Sequence, residues 1–373
     1  MQILIVDDDR KSVEPLQEEI RKTFVGFESM IVGFKDSTQV IEHFKPHVVV
    51  LDIMQGNPSD NDAAGLSTCD FIWHARFCPL VFYTAVPEHL EGDERLPHPL
   101  VKTVKKGANS ELIVISHIRD FQPHVLALAA TVDEIQAALN RALRDVARRV
   151  FENTEDARLI PDALTRASRR RVAAAMDEAL SSGGPNLRSW EHYLCPPTGS
   201  HLLTGDILRK KEGNPGDPLN YRVVLTPSCD LVEDGERHPN VEKVLTAICF
   251  SAERLTSELG LEPVGGRNKW KNKLVPILRQ GYWHSCLPIP ALPGEFPTMT
   301  ADFCRLELIS VDQIGNGDKE YLRIASVDNP FRELVAWAYV VNAARPGMPE
   351  REFEKWADEI TAAVPVREKK PEK

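Results

Sequence analysis

Carboxylates stand directly behind two apolar runs near the start of the chain. QILIVDDD closes on Asp7, Asp8 and Asp9, and HVVVLD closes on Asp52. Two later runs add other chemistry: PLVFYTA carries Thr84 and PLVKTV carries Lys102. Carboxylates gathered within ~4–6 Å repel one another unless a cation sits among them. Oxygen-only donors suit Mg²⁺, which keeps several waters and accepts a phosphate oxygen. A hydroxyl and an ammonium would then hold the remaining phosphoryl oxygens. Asp9 is read as a solvated loop residue, and Lys105 and Lys106 compete with Lys102 for the ammonium role.

The elements that must position these groups alternate. Strands are expected over 2–7, 30–34, 47–52, 79–85 and 99–104, with helices over 12–24, 37–44 and 65–76. Ser12 is expected to cap the first helix, which would place Pro15 in its tolerant first turn. Strands alternating with helices predict an α/β domain with a doubly wound, parallel, five-stranded sheet. In such sheets the ligand crevice lies at the carboxyl ends of the strands.

ILIVDDD, VVVLDIM, YTA and LVKT, in this order on this strand pattern, resemble the response-regulator receiver family over residues 1–122. The resemblance implies a flavodoxin-like fold in a two-component response regulator. It implies that Asp52 is phosphorylated by a partner histidine kinase. It further implies Mg²⁺ held by Asp7, Asp8, Asp52 and the backbone carbonyl of Met54, with Thr84 and Lys102 on the phosphoryl group. No enzymatic activity beyond phospho-acceptance and autodephosphorylation is expected. Several features depart from the family pattern. The loop MQGNPSDNDAAG is long and polar, and the segment 86–98 is a poor helix, so the family's fourth helix is shortened or lost. Pro99 stands where the family carries an aromatic residue three places before its lysine. The nearest rival is a degenerate receiver that serves as a docking scaffold.

Residues 123–186 read as a helical linker. Ile135, Ala138, Leu139, Ala142, Leu143, Val146 and Val150 recur at helical spacing. This stripe could pack on a neighbouring domain, or join a partner protein or a second copy through the 133–150 helix. Residues 187–364 read as an α+β output domain without a recognised motif, and 365–373 as a charged, disordered tail. A net charge of −10 argues against nucleic-acid binding, and Arg166, Arg169, Arg170 and Arg171 spread around a helix as a solvated face. Seven cysteines without a CxxC pair fit buried structural thiols in a reducing cytoplasm better than zinc. An alternative reading makes the C-terminal half a Cys- or metal-dependent enzyme. It rests on Cys229 in LTPSCDL, with His201 or His284 as the base. Asp230 beside it favours a simple turn instead. No membrane span or secretory leader is expected, because no apolar run reaches ~18 residues and no basic segment precedes the first one.

Overall fold

Val48–Leu51 and Leu80–Thr84 are buried at every residue, as strands covered on both faces must be. They are β3 and β4 of a parallel sheet that also contains β1 (Gln2–Val6), β2 (Glu28–Val32) and β5 (Val101–Lys105), in the order β2-β1-β3-β4-β5. The computed structural model describes residues 1–55, 64–181, 186–233, 238–261, 267–315, 317–345 and 352–364. It divides into two units, Met1–Gly184 and Pro185–Lys373.

Alternate strand residues feed two cores. Ile3, Ile5, Val50 and Tyr83 face α1 (Arg10–Thr23) and the start of α4 (Ser110–Asn153). Leu4, Val6, Leu51 and Phe82 face α2 (Phe34–Phe44) and α3 (Ala64–Ala75). The order of strands reverses between β1 and β3, so the crevice opens at the carboxyl ends of those two strands.

Helix α1 begins earlier than expected, and its cap is Asp9 rather than Ser12. The Asp9 carboxylate accepts the Lys11 N–H (3.2 Å), while the Ser12 hydroxyl donates to the Asp9 carbonyl (2.8 Å). Pro15 therefore lies inside the helix, and the carbonyl it leaves without a donor belongs to exposed Lys11, where water can replace the bond. Asp9→Ala is expected to cost about 1 kcal/mol, read as a lower urea midpoint without a change in slope.

Between β4 and β5 the chain makes a 3₁₀ turn, Pro87–Leu90, and no α-helix. Arg95 ties this segment to α3 through Asp70 (2.7 Å) and locally to Asp93 (2.6 Å). Helix α4 then runs unbroken for 44 residues, so the boundary expected at residue 122 falls inside it. Helix α5 (Ile160–Ser181) packs against α4, where Ala138 and Ala142 are small enough to be buried. Leu139, Val146 and Val150 are half-buried, whereas Ile135 and Leu143 are exposed.

The second unit is built on a seven-stranded sheet, ordered β10-β11-β9-β8-β7-β12-β6, in which every pairing is antiparallel. Its strands are β6 (Tyr193–Leu194), β7 (Asp206–Lys210), β8 (Tyr221–Val224), β9 (Lys243–Ser251), β10 (Cys286–Ile289), β11 (Met299–Ser310) and β12 (Tyr321–Val327). Its helices are α6 (Glu253–Glu258), α7 (Arg267–Gln280), α8 (Phe331–Ala343) and α9 (Phe353–Ala363). Ile207, Val223, Ala247, Ala301 and Phe303 pack with Val335 and Ala338 of α8. This is the α+β character expected for 187–364. Part of the polar loop after Asp52 (56–63), most of the Gly/Ser break (182–185) and the tail 365–373 lie outside the described residues.

Candidate functional site

Backbone pairing carries three charged residues to one edge of the first sheet. The Asp7 N–H, just past β1, donates to the Val32 carbonyl (3.0 Å). The Asp52 N–H, just past β3, donates to Val6 (2.9 Å), and the Lys106 N–H, just past β5, donates to Thr84 (2.8 Å). Each residue thus continues its strand by one step beyond the ladder, and the three side chains converge. Lys106 Nζ lies 2.6 Å from Asp7 Oδ2 and 2.6 Å from Asp52 Oδ2. The side chains are 18%, 3% and 14% exposed respectively, so the ion pairs are shielded from water yet reachable from one side.

The second carboxylate oxygens are held as well. Asp7 Oδ1 accepts the Asp9 N–H (2.8 Å) and Asp52 Oδ1 accepts the Ile53 N–H (2.7 Å). Asp8 is exposed beside them, its Oδ1 3.4 Å from the Phe34 nitrogen at the start of α2. Thr84 closes β4 and is fully buried, its hydroxyl accepting the Val86 N–H (3.3 Å). Met54 is buried after Asp52, and its carbonyl has no hydrogen-bond partner among the described residues.

The lysine at this site is Lys106, not Lys102. β5 pairs in register with β4, which sets Lys102 opposite Val81 and Lys105 opposite Thr84. Four residues of extended chain separate Lys102 from the carboxyl edge, about 13 Å at ~3.3 Å per residue. Lys102 and Lys105 are both exposed on the strand. Counting from Lys106, the position three places earlier is Thr103 rather than Pro99, and it is exposed and not aromatic.

Sequence reasoning also missed Gly65. Its N–H donates to the Ile53 carbonyl (2.8 Å), and a Cβ there would lie 2.2 Å from the Asp52 carbonyl oxygen and 2.6 Å from Ile53 Cα. Only a residue without a side chain lets α3 lie this close to the backbone that carries Asp52.

Burial raises the pKa of Asp7; the Lys106 ammonium opposes that shift and the Asp52 carboxylate adds to it. For Lys106, burial alone would lower the pKa, but the Asp52 and Asp7 carboxylates together outweigh it and raise the value. Both shifts carry the same sign in stability. Folded Asp7 holds its proton more tightly than the unfolded chain does, so its contribution declines as pH rises from 3.8 through its raised folded value. The Lys106 contribution is complete below 10.5 and is lost as pH climbs through its raised value. Urea midpoints measured across pH should show both declines. Asp7→Asn should remove the acidic one, and a mutant that keeps it would place its origin elsewhere.

In the second unit, Cys249 and Cys286 are buried, and burial pushes their thiols up to about 12 and about 11. Such thiols are poor nucleophiles at neutral pH. Cys229 is exposed in the 3₁₀ turn Ser228–Asp230, where the Asp230 carboxylate accepts from the Asn240 side chain (3.3 Å). Among the described residues no three His, Cys, Asp or Glu side chains are grouped as a ready-formed metal site. Arg166, Arg169 and Arg170 are exposed on α5, and Arg171 lies 3.5 Å from Asp145. No helix among the described residues is long and apolar enough to cross a membrane.

No family model matches the chain. No curated protein matches it either. Solved structures similar to about a third of it include receiver domains and response regulators. The receiver domain of a modulated diguanylate cyclase from Desulfovibrio desulfuricans G20 is 18% identical, covering 34% of this chain and 96% of its own, with a TM-score of 0.28. The response regulator TrrA from Thermotoga maritima, in complex with Mg²⁺ and BeF, is 19% identical over 32% of this chain and 96% of its own, with a TM-score of 0.27. The response regulator PhyR from Brucella abortus is 23% identical over 34% of this chain, with a TM-score of 0.28. This chain spans about half (51%) of that PhyR protein.

Proposed function

We propose that the first unit is a phospho-acceptor receiver and the chain a two-component response regulator, with Asp52 as the acceptor. The observation that carries this reading is the convergence of Asp7, Asp52 and Lys106 at the carboxyl edge of a five-stranded parallel sheet. A carboxylate oxygen of Asp52 attacks the phosphorus of a phosphohistidine on a partner kinase. The new P–O bond forms as the P–N bond breaks, and the imidazole leaves with the bonding electron pair. Lys106 then pairs with a phosphoryl oxygen instead of with the Asp52 carboxylate, and Thr84 offers its hydroxyl to a second oxygen.

The donor set fits Mg²⁺. Asp7 Oδ2 and Asp52 Oδ2 share one cation, which places them within about 5 Å of each other, and every candidate donor is an oxygen. Asp7, Asp8, Asp52 and the Met54 carbonyl are the groups that would hold the ion. When bound, it would neutralise phosphoryl charge during transfer. The ammonium of Lys106 meanwhile balances the two carboxylates, and Asp8 remains accessible to water and cations.

Acetyl phosphate with Mg²⁺ tests the reading without the kinase. Intact-mass analysis should show one added phosphoryl group on the wild type, none on Asp52→Asn, and none after chelation. A wild type that stays unmodified with small donors and with its kinase would favour the docking-scaffold alternative.

A further inference from the structure

The second unit holds a cavity of about 490 Å³, within the size range of small-molecule sites. Leu287 and Ile289 of β10, Val327 at the end of β12, and Phe331, Leu334 and Val335 of α8 supply apolar wall. Five polar side chains also line it: Ser189, His192, Tyr193, Arg279 and Thr298, of which Tyr193 donates its hydroxyl to the Pro290 carbonyl (2.6 Å).

His192 and Arg279 are the two titratable groups among them without a hydrogen-bond or ion-pair partner among the described residues. His192 stacks on Phe331 with ring centroids 3.6 Å apart, and its Nδ1 is buried without a hydrogen bond among the described residues. Burial lowers the His192 pKa, which works against an imidazolium there. Arg279 lies in the last turn of α7, exposed, and among the described residues no acid pairs with it. The helix end that carries it is fixed in place. Gly281 turns the chain at φ +92°, and a Cβ there would meet Leu334 Cδ2 at 2.2 Å. Arg279 thus stands at the rim of the cavity, exposed and without an ion-pair partner among the described residues.

One unpaired guanidinium beside apolar walls defines the ligand by its chemistry. A cation would be repelled by Arg279, and a purely apolar guest would leave the guanidinium without a partner. A dianionic phosphate would find one positive charge where it needs more. A monoanionic carboxylate matches the planar fork of a single arginine. We propose that this cavity binds a small organic carboxylate with an apolar body, its head group on Arg279 and its body against β10 and α8. This site is independent of the receiver reading, since every lining residue belongs to the second unit.

The test uses the full chain and calorimetric titration with octanoate and phenylacetate, against octanol and octylamine as matched neutral and cationic probes. At least one acid should bind, octanol about tenfold more weakly than octanoate, and octylamine not at all. Arg279→Ala should weaken acid binding about tenfold or more, as expected for a lost charge-assisted hydrogen bond, while Arg279→Lys retains part of it. Because Arg279 is exposed, the variant should keep the circular-dichroism spectrum of the wild type. Ala291→Trp, which fills the cavity from its wall, should abolish binding. Failure of both acids at millimolar concentration would overturn the proposal. So would equal binding of octanoate and octanol, or undiminished binding by Arg279→Ala or by Ala291→Trp.

Discussion

Lys106→Met is expected to destabilise the first unit by about 3 kcal/mol at neutral pH, because it leaves Asp7 and Asp52 facing each other without their shared cation. Asp7 is almost wholly shielded from water, which makes an unbalanced charge there expensive. The loss should shrink as pH falls and Asp7 takes up a proton, and it should shrink when Mg²⁺ is added at constant ionic strength. Lys102→Met, on the exposed face of β5, should stay within about 0.5 kcal/mol of wild type. Urea unfolding of the two variants side by side checks the assignment. Equal effects, or a larger one at Lys102, would mean that the ion pairs contribute little.

The second large effect is at Gly65. A glycine-to-alanine change within a helix ordinarily stabilises by up to about 1 kcal/mol. Here the added methyl would stand 2.2 Å from the Asp52 carbonyl oxygen and 2.6 Å from Ile53 Cα. These are backbone atoms that cannot rotate away, so α3 or the Asp52 loop must shift. Gly65→Ala should therefore cost about 2–3 kcal/mol, the upper range for overpacking. It should also slow phosphorylation by acetyl phosphate, because the strained backbone is that of the acceptor residue. A stabilised variant with unchanged phosphorylation would show that the approach of α3 to Asp52 is looser than described.

The strands that place the carboxylates were legible because HVVVLD and PLVFYTA are continuous apolar runs bounded by polar residues, the pattern of strands buried on both faces. The ammonium was harder to place. PLVKTVKK offers lysines at three positions, and the strand could end at any of them. What decides is the register of β5 against β4, a non-local pairing that composition does not encode. The sequence points to Ser12 as the helix cap and to Asp9 as a solvated loop residue, and the structure reverses the two for a related reason. Both residue types cap well, and the outcome depends on Asp9 lying one step beyond the Asp7–Asp8 turn. Gly65 reads from sequence as an unremarkable helix residue, since a close backbone approach appears only once α3 is laid over the end of β3. In the second unit, YRVV, KVLTAICF and YLRIASV read from their apolar, β-branched residues as strands, but neither their order in the sheet nor the cavity beside α8 follows from local pattern.

The claim that Asp52 is a phospho-acceptor is tested most directly by reductive trapping. Borohydride reduces an aspartyl phosphate to homoserine with release of phosphate, and peptide mass mapping then reports which residue carried the group. After treatment with acetyl phosphate and Mg²⁺, homoserine should be found at position 52 and not at 7, 8 or 9, and it should be absent when the donor or the metal is withheld. Homoserine at one of the other aspartates, or an unaltered Asp52 in protein that has gained phosphate, would contradict the account.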